Sequence, residues 1–574
     1  MEAKEKNFKE IMINEKKFII PFFQRHYVWG KEDWERLFND LYDSFKNNKD
    51  HFLGSIILKR SLGDDNFANV IDGQQRLTTF SILFKILYDK LDEEDKEDYI
   101  SCLYQKPLKQ RLPIIQHSML DIEKYNELFT NNAINKGIKE GIIGCHNFFV
   151  EKVEETFNDN IKEIHKFLDF IYERKVWITV SLNANEDEQK IFDSINSTGE
   201  PLNATDIIKN ALFDKTIKII GETEATKWYK KYWGDIFEKD NTERSFWDKK
   251  TTIGRIKRAK SEIFFHAFAI IEGFFDPNKH NLQNMSLLYK EHTKNFGEQE
   301  LKNFFEDILK YSEIYRKFPI YNKESLFSFE KWEDRFFHII EQTKTNTVLP
   351  LILILKDKLN CEKETLKECL YILEIFILCN KENKNYNKFF VEVVKDLPKE
   401  NNEIASYLKN KISNTYELNK QHVEKLLKYI NNNNTAKIIL FWIELHREDK
   451  EKDFKDKTEL KYIYTLEHLM PQKWQTHWEE VGKNSDNAKK LIYQIGNMTL
   501  LKNKLNATIQ NQTWDIKLNG NKKVKHFIKK SADLLINKEL INEKDWNEKN
   551  IEYRTTLLTK EFFEIWNVDI FENK

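Results

Sequence analysis

Short apolar runs broken by turn residues open the chain, and longer stretches with helical spacing fill the rest. Phe18 to Phe22, Phe52 to Leu58 and Ala68 to Ile71 read as strands, the last ending at the turn pair Asp72-Gly73. Apolar residues at 80, 83, 84 and 87 follow at once with helical period, so this segment reads as strand, tight turn, helix. Another helix is predicted from near Lys31, and one from Asn203 or Thr205 through Leu212 and Phe213. Beyond Trp228 helical spacing covers Ser261 to Phe275, Glu300 to Phe318, Ser328 to Glu341, Val348 to Asp357, Thr365 to Lys381 and His422 to Glu444. Polar segments such as Asn431 to Asn434 separate them, and no repeat has a fixed period. The charged stretch Arg447 to Lys457 reads as a linker, and Tyr462 to Leu466 as a strand that delivers Glu467 and His468.

Composition sharpens this to a mainly α chain with α+β ends. A length of 574 residues suggests three or four domains, and only 16 Gly and 9 Pro favour helix over turn-rich sheet. The net charge of -1 gives no global pull toward nucleic acid, so any such binding needs local basic surface. From Lys502 to Lys530 there are eight lysines and one acid, Asp515, with Lys522, Lys523 and Lys525 in the richest part. A solvated face explains that run as well as a phosphate-facing one does; its position near His468 favours the second. Five cysteines without a C-x-x-C pair argue against structural zinc and disulfides. No charged-then-apolar leader opens the chain, and its most apolar runs are too short for a bilayer. A reduced, cytoplasmic protein with no membrane partner is expected.

Three constellations carry chemistry. His468, Asn497 and Asn506 supply an imidazole base and amide oxygens on a predicted hairpin, the parts a single-metal phosphodiesterase needs. Asp72, Gly73, Gln74, Gln75 and Arg76 lie where a strand meets a helix N-terminus, a place suited to phosphates, though a plain turn and cap explains the same residues. Phe23, Gln24, Arg25, Tyr27 and Trp29 join aromatic faces to a guanidinium, which suits base stacking or simply a packed core.

Ile20-Pro21-x-x-Gln24-Arg25-x-Tyr27-x-Trp29, the 72–76 pentad and Phe192-Asp193-x-Ile195-Asn196-x-x-Gly199-x-x-Leu202 resemble the ParB-like N-terminal domain of GmrSD-type restriction systems. Glu467-His468-x-x-Pro471-Gln472, Gly496-Asn497-x-Thr499-Leu500-Leu501 and Asn506 resemble their HNH-type C-terminal nuclease domain. The fused order is similar to single-chain, modification-dependent type IV enzymes, including phosphorothioate-sensing SspE-like proteins. The resemblance implies a sensing and NTPase domain over 1–215, a helical middle over 216–455 and a ββα-metal nuclease over 456–574. It implies His468 as general base, Asn497 as a brace, and Glu467 with Asn506 as ligands of Mg²⁺ or Mn²⁺. The pentad would hold a nucleoside triphosphate, GTP by resemblance, and Phe23 to Trp29 would read modified DNA. Thr198 stands where Arg is common, and Phe23 where Tyr is common; the second removes a hydroxyl from the pocket, so the modification read is open.

Adjacent strand residues face opposite ways, so Glu467 and His468 converge on one metal only if the strand ends or bulges there. Trp546 is expected in the core, and Arg554 at a phosphate or a helix end. His477, His526 and Asn503 have no matched role. The function expected is a DNA endonuclease of anti-phage defence, with homo-oligomers possible. A nucleotide-driven DNA-binding module without cleavage, or an RNA-processing nuclease, stands as the alternative.

Overall fold

The computed structural model describes residues 2–572 apart from 14, 16, 62–63, 109–110, 131–134, 183–203, 254–255, 282–283, 381–384 and 452–457. The motif from Phe192 to Leu202, Thr198 included, lies outside the described residues. The chain forms two compact units, Met1–Lys230 and Lys231–Lys574.

The first unit is built on a mixed sheet of β1 (Glu2–Lys6), β2 (Lys17–Ile19), β3 (Gly54–Ser61), β4 (Asp64–Asp72), β5 (Ile115–Gln116) and β6 (Trp177–Leu182), in the order β1-β6-β3-β4-β2-β5. Helix α1 is Phe8–Ile13, α2 is Lys31–Asn47 and α3 is Gln74–Asp89. The strand expected to reach Phe22 ends at Ile19, because Pro21 has no N–H to give a ladder and the chain turns there, Gln24 N–H donating to the Pro21 carbonyl at 2.9 Å. Strand, turn and helix follow over 64–89 as the spacing predicts. Every residue of α3 from Leu77 to Tyr88 is buried, so this helix is central rather than amphipathic. Phe8 packs on Phe80 and Phe84 at ring distances of 4.7 and 4.9 Å, and Trp177 of β6 meets Phe80 edge-on at 5.3 Å.

The second unit is mostly helix. Leu349–Lys358, Lys363–Cys379 and Asn433–Glu451 carry nearly unbroken apolar runs and are correspondingly buried. The helix expected over 422–444 is two, Lys420–Lys428 and Asn433–Glu451, parted at the asparagine-rich stretch. The linker expected from Arg447 begins later, since Arg447 is inside the second of these helices. Its guanidinium pairs with Glu561 at 2.9 Å and Glu539 at 3.2 Å. Two antiparallel hairpins matter below: β7 (Lys250–Ile253) with β8 (Ile256–Ala259), and, after the short pair β9 (Leu326–Phe327) and β10 (Leu460–Lys461), β11 (Thr465–His468) with β12 (Met498–Leu501). No helix among the described residues is long and apolar enough to cross a membrane. Cys102, Cys145, Cys369 and Cys379 are buried free thiols and Cys361 is an exposed one.

Candidate functional sites

The C-terminal site is a strand, a strand and a helix. β11 pairs antiparallel with β12 in the register Thr465↔Leu501, Leu466↔Leu500, Glu467↔Thr499 and His468↔Met498, and helix Asn503–Ile509 follows. His468 therefore stands at the end of β11.

Asn497, wholly buried, fixes that end. Its carboxamide donates to the Met470 and Ile492 carbonyls at 2.9 and 3.2 Å and accepts from Met470 N–H at 2.8 Å and Trp546 Nε1–H at 3.1 Å. All the hydrogen-bonding capacity of the amide is in use, and its orientation is forced, because carbonyls can only accept. Its backbone carbonyl takes Leu469 N–H at 2.8 Å as well. Asn497 is thus a positioning residue, with no atom left for substrate. Gly496 is needed beside it: a Cβ there would come within 2.3 Å of the Ile551 carbonyl in helix Glu548–Ile565. Trp546 is in the core as expected, stacked on Trp514 at 4.9 Å. Arg554 is buried and gives its guanidinium to the Gly496 carbonyl at 2.8 Å, the Met498 and Ile536 carbonyls and Glu539. Neither expected role for Arg554 holds, because a side chain so enclosed cannot reach a phosphate.

Asn506 orients by the same logic. Its Nδ2 donates to Leu466 O at 3.0 Å and to Thr465 Oγ1 at 2.9 Å, while that hydroxyl donates on to Leu501 O at 3.0 Å. Its Oδ1 is the atom left to face a cation or water.

His468 is half-buried, and its Nε2 is buried with no hydrogen-bond partner. Burial first, and the neighbouring Lys517 charge second, push its pKa down to about 4, so the imidazole is neutral at pH 7. The Tyr493 ring meets it edge-on at 6.1 Å.

Glu467 answers the question of the strand end: β11 does not bulge, and the carboxylate is held by Lys517 Nζ, which also donates to the His468 carbonyl at 3.0 Å. Burial pushes Glu467 up and Lys517 down, and each charge opposes the other's shift. A carboxylate committed to a buried ammonium on the other face from His468 does not fit the metal-ligand role expected of it. Among the described residues no three His, Cys, Asp or Glu side chains gather for a metal. The donor that does fit Mg²⁺ or Mn²⁺ is the Asn506 amide oxygen, with phosphate oxygens and water to complete a shell. Lys517 escaped the sequence reading, which counted it as basic surface. Its burial was legible, however: Trp514, Lys517 and Leu518 share the apolar phase of their helix. Of the lysine run, Lys502 pairs with Asp533 at 2.6 Å, whereas Lys522, Lys523 and Lys525 are exposed.

The N-terminal site is the junction of β4 and α3. Gly73 has φ 88, and a Cβ would sit 2.9 Å from the Ser55 carbonyl. Asp72 and Arg76 face each other at 3.8 Å; burial pushes Asp72 up and Arg76 down, each partly restored by the other. Gly54, which the sequence reading passed over, lies under the Arg76 guanidinium: a Cβ there would fall 1.6 Å from Nη1.

Gln75 clasps the preceding loop, donating to the His26 carbonyl at 3.1 Å and accepting from Val28 N–H at 2.9 Å. Gln74 donates to the Arg25 carbonyl at 3.1 Å and Gln24 to the Val70 carbonyl at 2.8 Å. In both, Oε1 is buried with no partner. Buried acceptors without donors are rare and mark a place where a donor or cation is expected.

Other expected sensing residues face inward. The Tyr27 hydroxyl sits among Trp34 Nε1–H at 2.8 Å, Thr79 and Cys145. Phe23 packs on Phe22 and Phe213 at 5.1 and 6.2 Å, and Trp29 packs against the core. Burial leaves Phe23 and Tyr27 no face for a base, so both are structural here. Arg25 is half-buried.

With the geometry in view, comparison with protein families gives two matches. Residues 8–213 match the family described as GmrSD restriction endonuclease, N-terminal domain, and residues 416–561 match GmrSD restriction endonucleases, C-terminal domain. No curated protein matches the chain.

Proposed function

Because the chain belongs to the GmrSD restriction endonucleases, with both their domains in one polypeptide, we propose that it cuts DNA in defence and that His468 is the base for that cut. One observation carries the residue assignment: a neutral imidazole whose Nε2 is buried, unpartnered and held at a strand end by a saturated asparagine brace. In the step proposed, water attacks phosphorus, the His468 imidazole takes the water proton, and the phosphorus–oxygen bond to the leaving strand breaks. General-base help of this kind contributes about 10²–10⁴ in rate. A divalent cation held by Asn506 would stabilise charge on the scissile phosphate. Asn497 keeps the imidazole in place, and burial, with the Lys517 charge second, keeps it unprotonated until an anionic phosphate arrives.

The N-terminal unit is assigned modification sensing and triphosphate hydrolysis. The unpartnered Oε1 atoms of Gln24 and Gln74 beside Arg76 and Asp72, at the start of the 16-residue helix α3, support that reading. The division at residues 215 and 455 is then functional: sensing, coupling, cutting. Plasmids that are unmodified, phosphorothioated or glucosylated, incubated with Mg²⁺ and each triphosphate in turn, test the whole reading. Nicking that depends on modification and triphosphate is expected; hydrolysis with no nicking of any plasmid would leave only a nucleotide-driven binding module.

A further inference from the structure

Outside both sites, a β-ribbon among the described residues carries concentrated positive charge. From Lys249 to Lys260 they carry Lys249, Lys250, Lys257, Arg258 and Lys260 and no acid. β7 and β8 pair in the register Lys250↔Ala259, Thr251↔Arg258 and Thr252↔Lys257, so Lys250 and Lys257 share one face and Arg258 points to the other. Lys249, Lys250 and Lys257 are exposed. No carboxylate among the described residues lies within ion-pair distance of any of the five.

The base of the ribbon continues the charge. Lys260 N–H donates to the Lys249 carbonyl at 3.1 Å, which brings the two lysines together. Lys260 Nζ and the Arg316 guanidinium both lie over the Phe246 ring, at 4.0 and 4.3 Å. Burial, then Lys249 and Arg316, push Lys260 down to about 8. Glu341 offsets part of the charge of Lys249 and Lys260, and Glu243 pairs with Arg316 at 2.9 Å, so Lys250 and Lys257 are the exposed ribbon cations left for a polyanion.

We infer that the β7–β8 ribbon is a second DNA-binding element, which lays Lys250 and Lys257, exposed on one face, along the phosphate backbone. A two-stranded ribbon fits the major groove of B-DNA, and lysines without acid neighbours give sequence-independent grip. Such grip suits an enzyme that must hold DNA of any sequence. The inference rests on the proposed DNA-cutting function, and the test separates the two.

Binding of a duplex by the full chain is measured across a salt series for the wild type, for K250A/K257A and for the charge-keeping K250R/K257R. The alanine variant should bind at least tenfold more weakly at ~0.1 M salt, with a slope of log K on log salt shallower by about two, since each lost phosphate contact removes about 0.9. The charge-keeping variant should match the wild type. Acetylation of wild-type lysines, read by mass spectrometry, should show Lys250 and Lys257 protected by DNA, which needs no variant. Unchanged affinity and slope, or unprotected lysines, would overturn the ribbon assignment while cleavage stands. Ribbon-dependent binding of RNA in preference to DNA would overturn it too. A wild type that neither binds nor cuts DNA would instead refute the proposed function.

Discussion

Asn497 at the C-terminal hairpin and the pair Gln24 and Gln74 at the N-terminal junction use their side-chain amides in opposite ways. At the C-terminal hairpin, Asn497 uses both amide hydrogens and both oxygen lone pairs on protein groups, so the brace is complete without ligand. At the N-terminal junction, Gln24 and Gln74 each anchor through nitrogen and leave a buried oxygen unpartnered. A complete brace suits a chemical step, in which the base must not move. An incomplete one suits recognition, because the missing donor makes the ligand part of the structure.

The contrast breaks first at Asn497. Asn497→Ala leaves two N–H groups and two carbonyls buried without partners, each costing about 1–3 kcal/mol, so a loss of ~4 kcal/mol or more is expected in urea unfolding. Asn497→Asp should fare little better, having no N–H for the Met470 and Ile492 carbonyls.

Acid provides the next test. Burial pushes His266 down to about 4 and His338, with some help from Lys437, to about 3 in the second unit; it pushes His117 to about 3 in the first. A histidine with a folded pKa below its unfolded value near 6.5 takes up its proton more readily when unfolded. Stability is therefore full above about pH 6.5 and falls as pH drops toward the folded value, by about 3 kcal/mol per histidine at pH 4. Glu272 and Glu444, pushed up to about 7 by burial, gain stability over the same range and offset the two histidines of the second unit, so the urea midpoint of the first unit should fall more between pH 7 and 4.

A smaller effect is expected at Gly54→Ala, which adds a Cβ at φ +117 and displaces Arg76. It should cost about 1–3 kcal/mol and lower triphosphate hydrolysis, as Arg76→Ala should. Smallest in stability is Gln74→Met, which loses one neutral hydrogen bond, about 1 kcal/mol in a thermal melt. Its nucleotide affinity should drop at least tenfold; unchanged affinity would make Gln74 purely structural and remove the contrast.

Local order was legible in sequence and long-range pairing was not. The turn at Asp72-Gly73 and the helix after it follow from residue type and period, whereas the strand expected over Tyr462 to Leu466 lies at Thr465–His468 and includes His468. Tyr27 looked like a sensing residue because its partners Trp34, Thr79 and Cys145 come from three other segments. Glu467 looked like a ligand because Lys517, fifty residues on, showed itself only as a lysine in an apolar helical phase. Gly54 was silent, since the need for it arises only when Arg76 crosses over it.

The central claim is that a neutral His468 at the end of β11 takes the proton in DNA cutting. Plasmid nicking by His468→Ala, measured beside its DNA binding and triphosphate hydrolysis, tests it most directly. Nicking should disappear while the other two activities stay at wild-type levels; nicking at the wild-type rate would contradict the account.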